Sequence, residues 1–147
     1  DKSFRDLYLS GSSINLGGAT ITANGNAVTL PEGSTIGDEI LSQKYLQVAF
    51  DGTLSLTTGT SRFTMPKAYT ITDIEASLGT AADAAVLSTI NKNGSAISTI
   101  TVASGQTTAS NTGLNISLSK DDYLTVDINS VGTTTKGSDL SITLTLI

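Results

Sequence analysis

The sequence predicts an all-β chain in which a short N-terminal intertwined β-repeat precedes a jelly-roll-like antiparallel β-sandwich. Three observations carry this. Apolar residues come in pairs two apart, punctuated by glycine, over the first 37 residues; alternation with a period of two follows from residue 43; and Thr and Ser outnumber every other polar type. Of 147 residues 24 are Thr and 19 are Ser, types that suit exposed strand faces better than helices. Hydrophobic residues make up 38 % of the chain, and a chain of this length buries roughly 70 % of its unfolded surface, so a core is expected.

The N-terminal segment repeats every seven residues. Apolar pairs fall at Leu7 and Leu9, Ile14 and Leu16, Ile21 and Ala23, and Val28 and Leu30, with Gly11, Gly17, Gly18, Asn24, Gly25 and Gly33 between them. A coiled-coil seam needs spacings of three and four, and glycine at this density costs a helix about 1 kcal/mol per residue. Spacing of two instead places both apolar side chains on one face of a short strand, while Gly and Asn-Gly supply the positive φ of the turns. One such chain buries only a narrow stripe, so identical partners about an axis are expected, and the fold is predicted to be a homotrimer. Pro31 and the turn formers after it break the repeat. The expected division is therefore residues 1–42 for the repeat and its transition, and 43–147 for the sandwich.

In the second part Leu46, Val48 and Phe50 form one apolar face, and Asp51-Gly52 is expected to turn the chain towards Leu54 and Leu56. Phe63 and Met65 continue the alternation until Pro66. From Tyr69 to Leu78 the parity changes, from Tyr69 and Ile71 to Ile74, Ala76 and Leu78, which predicts a bulge near Thr72-Asp73. Residues 86–90 and 97–102 flank Asn91-Lys92-Asn93-Gly94, a hairpin signal because Asn and Gly tolerate left-handed backbone. Leu114-Ile116-Leu118, Leu124-Val126-Ile128 and Leu140-Ile142-Leu144-Leu146 are the remaining strands, giving about eight, the number expected of a sandwich or jelly roll. Residues 81–85 form the one helix-like stretch, too short to stand alone.

The segment Gly11-Ser-Ser-Ile-Asn-Leu-Gly-Gly-Ala-Thr-Ile, with Val28-Thr-Leu-Pro-Glu-Gly-Ser-Thr-Ile-Gly37, resembles the shaft of tail fibres and virion structural proteins of marine phages and cyanophages. Phe63-Thr-Met-Pro66, Ile74-Glu-Ala-Ser-Leu-Gly79, Ile90-Asn-Lys-Asn-Gly94, Lys120-Asp-Asp-Tyr-Leu-Thr-Val-Asp127, Val131-Gly132 and Lys136-Gly137 resemble the C-terminal knob of such fibres. The resemblance implies a trimeric fibre, exposed on the virion and extracellular, whose knob contacts a host cell-surface glycan or protein. Because the chain starts at Asp1 rather than Met, it is expected to be a fragment or processed product that meets other virion proteins through an upstream region.

The chemistry open to the chain is narrow. There is no His and no Cys, which removes the commonest general base, thiol nucleophiles and the usual zinc sites. The net charge of -5 argues against nucleic acid as a partner, and no apolar run approaches a membrane span, so no membrane insertion is expected. Asp121 and Asp122 read as a turn after Lys120 rather than a catalytic pair. Asp121, Asp122, Asp127 and Asn129 carry oxygens suited to Ca²⁺ but lack the dense spacing of a calcium loop. No catalytic residue, metal or cofactor is therefore assigned. Asn93-Gly-Ser and Asn115-Ile-Ser match the glycosylation triplet.

Recognition is expected in polar loops at one end of the sandwich, residues 104–113 and 130–137. The candidate receptor contacts are Ser104, Gln106, Thr108, Asn111, Thr133, Thr134, Thr135 and Lys136. Two other readings fit the composition: a purely structural head fibre or decoration protein, and a secreted bacterial carbohydrate-binding or adhesin domain.

Overall fold

A spacing of seven residues is the length of one short strand and one turn. In the computed structural model, which describes residues 13–24, 27–31, 34–36, 39–40 and 44–147, the repeat forms an antiparallel sheet of β1 (Ser13–Leu16), β2 (Ala19–Asn24) and β3 (Ala27–Thr29) in that order. Gly17 and Gly18, at φ 60° and 96°, make the tight turn between β1 and β2 that only two positive-φ residues allow. Asn15 closes it, its side-chain oxygen accepting from the Gly18 N–H at 3.0 Å. Leu7, Leu9, Gly11, Gly25 and Gly33, also read as part of the repeat, lie outside the described residues, as does the expected boundary at residue 42. A two-residue pair follows, β4 (Thr35–Ile36) with β5 (Glu39–Ile40).

The register sorts this sheet by polarity. Ile14 lies opposite Ile21, Leu16 opposite Ala19, and Ala23 opposite Val28. Between them Asn15 faces Thr20 and Thr22 faces Thr29. Directly opposed residues share a face, so one face is apolar and the other carries amides and hydroxyls, with Ala27 opposite Asn24 at its end. The apolar face is open: Leu16 is 63 % and Val28 67 % exposed.

The chain divides into two units, Asp1–Ser42 and Gln43–Ile147. The second contains β6 (Lys44–Thr53), β7 (Thr57–Thr64), β8 (Tyr69–Ser77), β9 (Val86–Lys92), β10 (Ser95–Val102), β11 (Thr108–Asn111), β12 (Ile116–Leu118), β13 (Tyr123–Val131) and β14 (Ser138–Leu146). They make two antiparallel sheets, β10-β9-β13-β7 and β11-β8-β14-β6, with β12 pairing β8 beyond β11. If β11 and β12 are counted as one interrupted edge strand, eight strands in chain order cross from one sheet to the other at every connection except the β9–β10 hairpin, the order of a jelly roll. The predicted class holds. Ile71, Ile74, Ile90, Ile100, Leu140, Ile142 and Leu144 are buried between the sheets.

The predicted bulge is present. Thr145 pairs with Asp73 but Leu146 pairs with Ile71, so Thr72 is the extra residue that switches the parity of β8 and keeps both Ile71 and Ile74 buried. The β9–β10 hairpin also turns where expected, on Asn93 at φ 53° and Gly94 at φ 83°.

Three expectations need correction. Asp51-Gly52 does not turn the chain into the next strand; it lies inside β6, where two residues oppose the single Asp139 of β14. Positive φ serves a bulge as well as a turn, and β6 pairs with the distant β14 instead of β7. Leu56, expected on the apolar face, is 66 % exposed, because the strand has ended and β7 begins only at Thr57. Residues 104–113 are not one loop, since Thr108–Asn111 pairs with β8 as an edge strand.

Candidate functional site

Strand pairing gives the sandwich two distinct ends. At one, β6 begins at Lys44 opposite Leu146, beside the Asn93-Gly94 turn and the turn at residues 119–122. At the other, Thr53 meets Ser138, Ser77 meets Thr108, and Val86 meets both Val102 and Val131. The predicted recognition loops belong to this second end, opposite the point where the chain enters the sandwich.

They converge on the connection between β8 and β9. The Ser104 hydroxyl donates to the Asp83 carbonyl at 2.8 Å, and the Gly105 N–H donates to the Ala82 carbonyl at 2.9 Å. From the other side, Thr133 donates its N–H and its hydroxyl to the Asp83 carboxylate, each at 2.7 Å, and the Thr134 N–H donates at 2.8 Å. These donors hold the Asp83 carboxyl well below the usual carboxylate range, the Thr133 N–H contributing most. Gly132 makes the approach possible: at φ 102°, a Cβ there would meet the Thr135 carbonyl at 2.5 Å and the Ala82 Cβ at 3.0 Å.

The structure therefore brings Ser104, Gln106, Thr133, Thr134, Thr135 and Lys136 to one end but gives them different tasks. All six are exposed; Ser104 and Thr133 commit their hydroxyls to the Asp83 segment, whereas the side chains of Gln106, Thr134, Thr135 and Lys136 are not drawn into that network. Thr108 and Asn111 stand on the sheet edge, and the Asn111 amide donates across to the Thr99 carbonyl of β10 at 2.8 Å.

The carboxylates read as turn and ladder residues are placed as such. Asp122 accepts from the Ser119 N–H at 2.7 Å and the Asn93 amide at 2.6 Å, which together hold its carboxyl below the ordinary value, with Lys92 adding a smaller effect. Asp121 occupies the turn at φ 69°. Asp127 accepts from the Gly59 N–H and the Asn91 amide, and Asn129 accepts from the Thr89 hydroxyl. Among the described residues no group of three His, Cys, Asp or Glu is placed to hold a metal ion.

A second feature was not singled out from the sequence. The outer face of the β11-β8-β14-β6 sheet carries a shallow depression of about 340 Å³. Register builds it from two rows. In one, Gln47, Thr143, Glu75 and Ser110 lie side by side across β6, β14, β8 and β11. In the next, Ala49, Ser141, Ser77 and Thr108 do the same. The Gln47 amide ties the rows together by donating to the Ser141 hydroxyl at 2.6 Å. A third row, Tyr45, Thr145 and Asp73, continues the face towards the chain-entry end. Asp73 is engaged locally by the Thr72 hydroxyl and the Gly113 N–H, whereas Glu75 is exposed. The only sequence signal for this face is the polar half of each strand's alternation.

No family model and no curated protein matches the chain. Among solved structures it is similar to a chain of the "Cyanophage Pam1 capsid asymmetric unit", at 21 % identity over 85 % of this chain and 96 % of that one, with a TM-score of 0.45.

Proposed function

We propose that this chain is a structural and receptor-binding part of a phage fibre, a non-enzymatic homotrimer exposed on the virion that adsorbs to a host cell-surface glycan or protein. The observation that carries the reading is the β1–β3 sheet, whose apolar face is open while its opposite face carries Asn15, Thr20, Thr22 and Thr29. Apolar surface left in water forfeits about 25 cal/mol per Å² that burial would recover. Identical chains about an axis bring such faces together and turn the polar faces outward, and the repeat then extends as a shaft. In the sandwich, an apolar depression of about 190 Å³ lined by Tyr45, Phe63, Met65, Pro66, Tyr69 and Leu146 offers further contact between copies at the chain-entry end.

The jelly roll supports the receptor half of the reading by its polarity. Its exposed loops and outer sheet face are rich in hydroxyls and amides, and with three copies weak contacts multiply through avidity. The test is adsorption. Labelled protein is expected to be retained on susceptible bacteria and to slow adsorption of the phage that carries it. Protein that stays in solution with every strain tested would leave only the structural head-fibre or decoration role.

A further inference from the structure

We infer that the outer face of the β11-β8-β14-β6 sheet is a groove for a neutral, hydroxyl-rich saccharide. The inference rests on the adsorption reading and gives it a site. The depression of about 340 Å³ falls within the usual size range of ligand sites, roughly 300–1,000 Å³. Its lining is unlike that of a contact between copies of a chain, whose core is apolar. It is also unlike an anion site, since it holds a carboxylate and neither Lys nor Arg lines it.

What the groove offers is a grid of short hydrogen-bonding groups. Neighbouring strands lie roughly 5 Å apart, and successive outward residues along a strand roughly 7 Å apart. Hydroxyls on Thr143, Ser141, Ser77 and Thr108 both donate and accept, and Gln47 adds an amide. Glu75 accepts only, and an exposed carboxylate among hydroxyls is best matched by a ligand with paired hydroxyl donors. Acidic glycans are disfavoured by Glu75, by Asp73 in the adjoining row and by the net charge of -5. Thr108, expected from the sequence to contact a receptor, lies at the rim of this groove.

The experiment uses the full chain on two probes: whole bacteria with and without periodate oxidation of their surface sugars, and immobilised dextran compared with alginate as neutral and acidic polysaccharides. Wild-type protein is expected to adhere to cells, to lose that adhesion after periodate, and to prefer dextran to alginate. Glu75→Gln should weaken cell binding about tenfold, as expected for one charge-assisted hydrogen bond. Ser77→Lys, which fills the groove from an exposed position, should abolish it, and Thr101→Lys on the opposite sheet should not change it. If wild-type protein adheres but Glu75→Gln and Ser77→Lys adhere equally well, or if periodate has no effect, the groove is excluded and the adsorption reading stands. If wild-type protein adheres to no cell, both fall.

Discussion

Asp83 and Thr133, fifty residues apart, are joined twice: the Thr133 N–H donates to Oδ1 and its hydroxyl to Oδ2, each at 2.7 Å. Asp83→Ala removes the acceptor on which the loop after β13 is folded and leaves those donors to water. A thermal midpoint lowered by a few degrees is expected, with β-sheet content unchanged. Thermal melts followed by circular dichroism check both.

The same pair gives a pH dependence whose sign is fixed. A carboxylate whose folded pKa lies below its unfolded value stabilises the fold above the unfolded pKa, and that contribution is lost as pH falls towards the folded one. Asp83, Asp122 and Asp139 all shift downward, Asp139 mainly through the Gly52 N–H. Stability is therefore expected to decline below about pH 4, the unfolded aspartate range. Asp83→Asn should flatten that decline; an equally steep acid limb would show that Asp83 contributes nothing to it.

Gly132 and Gly105 separate close approach from backbone strain. Both have positive φ, but a Cβ at Gly105 would meet nothing within 4 Å, whereas at Gly132 it would meet the Thr135 carbonyl at 2.5 Å. Gly105→Ala is expected to cost about 1 kcal/mol from φ alone. Gly132→Ala is expected to cost about 3 kcal/mol, because backbone must move as well. Denaturant midpoints at constant m-value give the comparison.

The β1–β3 sheet predicts a difference between its faces. Leu16→Ser with Val28→Ser removes apolar surface from the open face and is expected to lower the oligomeric mass while the jelly roll's own melting transition persists. Thr20→Ser with Thr22→Ser, on the opposite face, is expected to leave the mass unchanged. Light scattering beside calorimetry distinguishes the two.

What was legible in the sequence was local. The parity change around Thr72 announced the bulge because side-chain alternation is a property of the strand itself, and Asn93-Gly94 announced a hairpin because two adjacent positive φ angles suit little else. Asp51-Gly52 has the same local signature, yet where β6 goes is decided by β14, some ninety residues later. β11 was missed because Ala109 is its only apolar side chain. The groove was invisible for a related reason. Its rows exist only because β14 inserts between β6 and β8, which brings Thr143 between Gln47 and Glu75, and no window of sequence contains that neighbourhood.

In the proposed trimer the apolar face of β1–β3 is covered by copies of this chain. Sedimentation equilibrium on the full chain, at several concentrations, tests it most directly. Three chain masses are expected at every concentration in the micromolar range. A single chain mass would contradict it.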